Sequence, residues 1–338
     1  MIRIKDIAEM AGVSTTTVSN VIHGHHDKVS KKTIRIVQDF LRETNYVPNL
    51  AAHLLAKKDS KIIAIVVYGN AQRANRHAGL DPFLSEVIQS AESMIRNYGY
   101  YMIFHVIEKD LTEITTLAMT WNLSGIILIG VGPLTANQVL RNIQIPFVTL
   151  DAYLNDPAFP NVGSDDFGGG YAVGQHLFKL GHHQVRFLSD NKLGVDYERW
   201  NGFVFAYQEQ GIDLSENHHL LLKKQIDERE EQIIGLIPEF RRCSALFFAS
   251  DFYAVESMLI LQDTGFKIPE NIAIVGYDNN VLSELVRPKL TTVSQNTQHK
   301  CFCAIERLIR MIHGEKLSTH DYKLPVELIV RDSTLPTR

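Results

Sequence analysis

The sequence predicts an N-terminal all-α helix-turn-helix head followed by an α/β body of two doubly wound parallel-sheet lobes. Two short amphipathic stretches separated by a glycine turn open the chain. From residue 61 onward, near-continuous apolar runs of strand length alternate with helical stretches, as buried parallel strands and their crossovers do.

In the head, Ile4, Ile7, Ala8 and Ala11 recur at i, i+3, i+4, i+7 and line one apolar face. Gly12 supplies the backbone conformation that ends this helix, and Ser14 is a suitable N-cap for the next. The second helix, from Thr15 to Ile22, turns Val18, Val21 and Ile22 inward and leaves Thr15, Thr16, Ser19 and Asn20 outside. Two helices joined so tightly form a helix-turn-helix, whose second helix enters the major groove. Short hydroxyls and an amide reach base edges or phosphates there. Ser30 caps a third helix with Ile34, Val37 and Leu41 as its inner stripe, while Lys31, Lys32, Arg35 and Arg42 lie off it. Pro48 disfavours helix at Val47. The stretch from Asn49 to Lys58 is then too short to be a stable helix alone, so it is expected to fold only against a partner.

Charge supports the division. Residues 1–60 carry nine Lys/Arg and six Asp/Glu, a net of +3, whereas the whole chain is −4, leaving −7 for the rest. A mildly basic head on an acidic body fits phosphate contact at one end only. No apolar run approaches the length of a membrane span, and Met1-Ile2-Arg3-Ile4-Lys5 lacks a signal-peptide core. Cys243, Cys301 and Cys303 form no disulfide framework and read as reduced thiols in a cytoplasm. Cys301-Phe302-Cys303 lacks the partner ligands a metal site needs, and the adjacent pairs His25-His26, His182-His183 and His218-His219, whose neighbouring side chains diverge, are expected to be surface residues. No metal or cofactor is expected.

In the body, strands are expected at 62–67, 101–104, 125–129 and 147–150, then at 185–189, 245–249 and 272–276, with a helix from Phe83 to Tyr98. Two such groups imply two sheets with ligand held in the cleft at the carboxyl ends of the strands. The run from Gly163 to Gly170 lacks the Lys-Ser/Thr of a phosphate loop and is expected to open a helix packed against the sheet. No Gly-x-Ser-x-Gly, HExxH or dinucleotide fingerprint is present, so an enzyme is not expected.

Helix-turn-helix, Tyr46-Val47-Pro48-Asn49, a short Ala/Leu helix and a long α/β body, in that order, resemble the LacI/GalR family of bacterial transcriptional regulators across essentially the whole chain. The resemblance implies a sequence-specific, most often repressing, DNA-binding homodimer. A small-molecule effector, a sugar or sugar derivative, would be bound between lobes of the type I periplasmic-binding-protein fold. A solute-binding protein shares that body but carries a secretion signal and no DNA-reading head. By the same resemblance Thr15, Thr16, Ser19 and Asn20 face the DNA, Asn49 opens the hinge, Ala52 lets two hinge helices approach, and Leu55 wedges into the minor groove. His53 stands where many members carry Arg. Arg199 matches the family's effector-contacting Arg-x-x-Gly-Phe, Asp278 its Gly-Tyr/Phe-Asp loop, and Ser250-Asp251 its Asn-Asp. Val195 stands where many sugar-responsive members carry Ser or Thr. The implied organisation is a DNA-binding domain at 1–48, a hinge at 49–60 and an effector and dimerisation domain at 61–338. Its N-lobe covers about 61–160 and 292–320, and its C-lobe about 161–291 and 321–332, with chain crossings near 161, 291 and 321.

Asn20→Ala is expected to lose discrimination at one operator position by about 1–3 kcal/mol while leaving nonspecific binding nearly intact. Leu55→Ala should instead reduce DNA bending and affinity together. Titration of both variants against operator and random duplex checks this, and equal weakening of specific and nonspecific binding by both would reverse the assignments.

Overall fold

The computed structural model describes residues 2–22, 24–46, 60–69, 82–132, 137–154, 156 and 159–335. The hinge residues Asn49, Ala52 and Leu55 lie outside the described residues. The chain forms two compact units, Met1–Ser60 and Lys61–Arg338.

In the first unit, helices α1 (Ile4–Ala11), α2 (Thr15–Ile22) and α3 (Lys31–Glu43) surround a small core. Gly12 ends α1 in the left-handed conformation at φ +64°, and its N–H returns to the carbonyls of Ala8 and Glu9. Ser14 Oγ accepts from Thr17 N at 3.1 Å, and Ser30 Oγ from Thr33 N at 3.2 Å, so both serines act as N-caps. Ile7, Ala8, Val18, Val21 and Val37 are buried together, with Ile4, Ala11, Ile22, Ile34 and Leu41 packed around them. Each fully buried Ile or Val contributes about 1.5–3 kcal/mol at most, so this three-helix unit has little to spare.

The second unit holds two six-stranded sheets. The first contains β1 (Ile62–Tyr68), β2 (Tyr101–Ile107), β3 (Gly125–Ile129), β4 (Phe147–Leu150), β5 (Asn161–Ser164) and β11 (Asp321–Leu324) in the order β11-β5-β4-β3-β1-β2, all parallel. Helix α4 (Pro82–Asn97) lies on it; α5 (Glu113–Thr120) and α6 (Asn137–Leu140) are short connections. The second contains β6 (Val185–Ser189), β7 (His219–Leu221), β8 (Ala245–Phe248), β9 (Ala273–Asp278), β10 (Thr291–Ser294) and β12 (Glu327–Ile329) in the order β12-β10-β9-β8-β6-β7. Only β12 runs antiparallel to its neighbour. Helices α7 (Asp166–Lys179) and α8 (Gly194–Gln208) cover one face of this sheet, and α9 (Ile226–Phe240) and α10 (Asp251–Asp263) the other. The short α11 (Val281–Leu285) follows β9, and α12 (Thr297–Ile312) packs its buried side against the first sheet.

The chain passes between lobes three times, each a few residues later than the sequence suggests. β5 still pairs in the first sheet, β10 in the second, and β11 in the first again, so the crossings follow Ser164, Ser294 and Leu324 rather than residues 161, 291 and 321. Each lobe keeps its strand to the last laddered residue before releasing the chain.

The glycines at the start of α7 permit contact rather than phosphate binding. A Cβ on Gly170 would meet the Arg199 carbonyl oxygen at 2.0 Å, and one on Gly202 the Phe167 carbonyl oxygen at 1.9 Å. A Cβ on Gly169 would meet Tyr277 Oη at 2.3 Å, so α7 presses on both α8 and the sheet. Gly202→Ala should therefore destabilise the body by about 3 kcal/mol, because backbone must move to admit the methyl group. Gly235→Ala, on the exposed side of α9 with nothing within 4 Å, should stabilise by about 0.5–1 kcal/mol. Paired denaturant titrations distinguish the two, and equal midpoints would refute the close-approach account.

Candidate nucleic-acid interface and ligand cleft

On α2, Thr15 and Thr16 are exposed, while Ser19 and Asn20 are half-buried beside the core residues Val18 and Val21. The helix begins at Thr15, so both exposed threonines occupy its first turn, the part of a recognition helix that reaches base edges. Thr17 is taken up by the cap, its hydroxyl 2.9 Å from Ser14 Oγ. Lys28, Lys31, Lys32 and Arg35 are exposed and suit phosphate contact. Arg42 pairs with Asp39 at 2.8 Å on the surface, a contact of small energetic weight.

In the body, a cleft of about 570 Å³ opens between the loop after β4 with the first residues of β5 and β11 on one side, and the loop after β6 with the start of α8 on the other. Tyr153, Asp321 and Lys323 line it from the first lobe, and Lys192, Tyr197 and Glu198 from the second. Arg199, the residue after Glu198, is 5 % exposed, and its Nε donates to Asp166 Oδ1 at 2.8 Å. Its Nη1 donates to the Ala249 carbonyl at 2.6 Å, and the guanidinium lies 3.7 Å from the centre of the Tyr277 ring. The other Asp166 oxygen accepts from Tyr153 Oη at 2.7 Å, so a residue of one lobe reaches an ion pair of the other. Burial pulls the Arg199 guanidinium toward neutrality, but Asp166 first, then Tyr277, Asp278 and Asp196, more than reverse this and raise its pKa well above the ordinary value. Burial and then the Asp166 carboxylate push the Tyr153 phenol far above its usual range, keeping it a hydrogen-bond donor.

Asp278 ends β9 with φ +122°, a conformation L side chains rarely adopt. Its Oδ1 accepts from Gln295 Nε2. The structure thus brings Arg199 and Asp278 into one buried polar cluster with Tyr277. Ser250 and Asp251 hold other posts. Ser250 caps α10, its Oγ accepting from Tyr253 N at 3.4 Å. Asp251 is wholly enclosed, with Oδ1 accepting from the Thr292 hydroxyl at 2.5 Å and Oδ2 from Asn280 N at 2.9 Å. Burial pushes its carboxyl up to about 7, against the downward pull of those two donors. Asp251 braces the loop after β9 against β10. Like Arg199 and Asp278, it lies beneath the residues that line the cleft rather than among them.

Sequence reasoning overlooked Asp151, Tyr153, Asp166, Gln295 and Lys300. Asp151 directly follows a strand's apolar run, where ligand-facing residues gather. Lys300, Ala304 and Leu308 recur at i, i+4, i+8, which points Lys300 inward. Nothing local marks Asp166, since its partners Tyr153 and Arg199 come from separate elements.

Residues 3–49 match the lacI family of bacterial regulatory proteins, and residues 175–334 match a periplasmic binding protein-like domain. The chain is 28 % identical to the HTH-type transcriptional regulator DegA of Bacillus subtilis over 98 % of each protein. It is likewise 28 % identical to the ribose operon repressor of Halalkalibacterium halodurans, covering 99 % of this chain and 97 % of that one. Its fold is similar to that of the lac repressor dimer bound to operator and the anti-inducer ONPF, with a TM-score of 0.85 and 24 % identity over 99 % of each chain. With its head and its body both matched, and in the same order, the chain belongs to the lacI family of bacterial regulatory proteins.

Proposed function

We propose that this regulator is a repressor that binds a near-palindromic operator as a homodimer and answers to a sugar or sugar derivative held between its lobes. The observation that carries the reading is the union, in one chain, of an exposed Thr15-Thr16 helix start and a cleft between two lobes lined by Tyr153, Tyr197, Glu198 and Asp321, with Arg199 and Asp278 buried in the polar cluster that Tyr153 joins through Asp166. Within that reading Thr15, Thr16, Ser19 and Asn20 contact operator, Asn49, Ala52 and Leu55 serve the hinge, and the divisions at 48 and 60 separate head, hinge and body. The family is one of regulators, not enzymes.

The chemistry of the cleft suits a polyhydroxylated ligand. The Glu198 and Asp321 carboxylates accept from sugar hydroxyls, the Lys192 and Lys323 ammonium groups donate to them, and the Tyr153 and Tyr197 rings offer flat apolar faces to ring C–H groups. Similarity to a ribose operon repressor supports the same class. Two-fold symmetry is how a head that reads few base pairs gains specificity. Helix α11 packs against α10, and Leu259, Val281 and Leu285 on these helices are more than half exposed, a surface a second copy would cover. Among the described residues no helix is long and apolar enough to cross a membrane, consistent with action on DNA in the cytoplasm.

Sedimentation at micromolar concentration should show a dimer, and a monomer that still shifts operator would refute it. A melting-point screen against ribose, glucose, cellobiose and their phosphates should yield a compound that raises the Tm of the native protein. Asp278→Asn should lose most of that shift while operator binding without ligand stays close to normal. An unchanged shift would place the site elsewhere. Arg199→Ala is a different case, because it strands the buried Asp166 carboxylate. A stability loss of about 3–5 kcal/mol is expected, and denaturant titration reads it.

A further inference from the structure

Lys300 is wholly enclosed in α12, whose buried side otherwise holds Thr297 and the apolar Cys301, Ala304, Ile305 and Leu308. Its Nζ donates to both carboxylate oxygens of Asp151 at 2.8 Å and to Gln295 Oε1 at 2.6 Å, and it lies 5.5 Å from the centre of the Phe83 ring. An ammonium only donates, so Gln295 must turn its carbonyl oxygen toward Lys300 and its amide nitrogen away. That nitrogen donates to Asp278 Oδ1, while Ser164 Oγ lies 3.4 Å from the same Gln295 oxygen.

These contacts join the lobes. Asp151 and Ser164 stand at the carboxyl ends of β4 and β5 in the first sheet, and Asp278 at the end of β9 in the second. Gln295 lies in the crossing between them, directly before Asn296, which caps α12 at φ +47°. Asp151 at φ +52° and Asp278 at φ +122° also hold backbone conformations that L side chains avoid, so three of the positions here depend on surrounding contacts.

Stability alone does not account for a lysine at this place. Desolvating two charges offsets much of their attraction, and an apolar side chain would join the neighbouring Cys301, Ala304 and Leu308 without that cost. We infer that Lys300 is a positioning residue that fixes the polarity of the Gln295 amide and thereby straps the two lobes together at their second crossing. The inference does not depend on which molecule occupies the cleft.

Hydrogen exchange of the full-length protein tests it with two variants, Lys300→Met and the double variant Asp151→Asn/Lys300→Met, the second leaving no unpaired Asp151 carboxylate. In both, amides of residues 295–300 should exchange about tenfold faster or more, while those of β1 and β9 keep native rates. Native rates at 295–300 in either variant would overturn the inference; in the double variant alone, they would trace the opening to an unpaired Asp151. Acceleration spread evenly through β1 and β9 would also overturn it, since Lys300 would then serve only overall stability.

Discussion

Enclosing the Arg199 guanidinium with the Asp166 carboxylate is the constraint around which the body is arranged. Neither charge tolerates burial alone, and together they need Tyr277 beneath, the Ala249 carbonyl beside and Tyr153 from the opposite lobe. Asp166 is the first residue of α7 and Arg199 lies in α8, so the pair forms only if the two helices approach closely. Gly170 and Gly202 permit that approach, each lying where a Cβ would strike a carbonyl of the other helix. A sequence motif that looks like a phosphate loop is thus explained by the geometry of one ion pair.

The same pair gives the cleft its character. Tyr153 joins the lobes through Asp166 on one side, and Gln295 joins them through Asp278 on the other. A ligand that competes for either set of hydrogen bonds changes the relation between the lobes without any need to unfold a sheet. Packed lobes respond by shifting between discrete arrangements rather than by deforming smoothly.

The head was legible residue by residue because its determinants are local. Gly12, Ser14 and Ser30 act within three or four residues of themselves, and the apolar faces repeat at helical spacing. The central strands were legible for a similar reason, since burial on both faces demands an unbroken apolar run. The three- and four-residue strands β5, β7, β10, β11 and β12 were not, for Asn161, Thr291, Asp321 and Glu327 interrupt any such signal. Arg199, Asp278 and Asp251 were singled out through motif resemblance, but the partners that enclose them, Asp166 for Arg199, Gln295 for Asp278, and Thr292 and Asn280 for Asp251, lie far along the chain. The partners of a buried charge come from tertiary structure, which one-dimensional spacing does not encode.

The central claim is that the cleft and the DNA-reading head are two ends of one equilibrium. Operator affinity measured with and without the sugar selected by the melting-point screen gives one ratio. The affinity for that sugar measured with and without operator gives another. The account predicts equal ratios, each about 5- to 150-fold. A ligand that binds the cleft tightly yet leaves both affinities unchanged would contradict it.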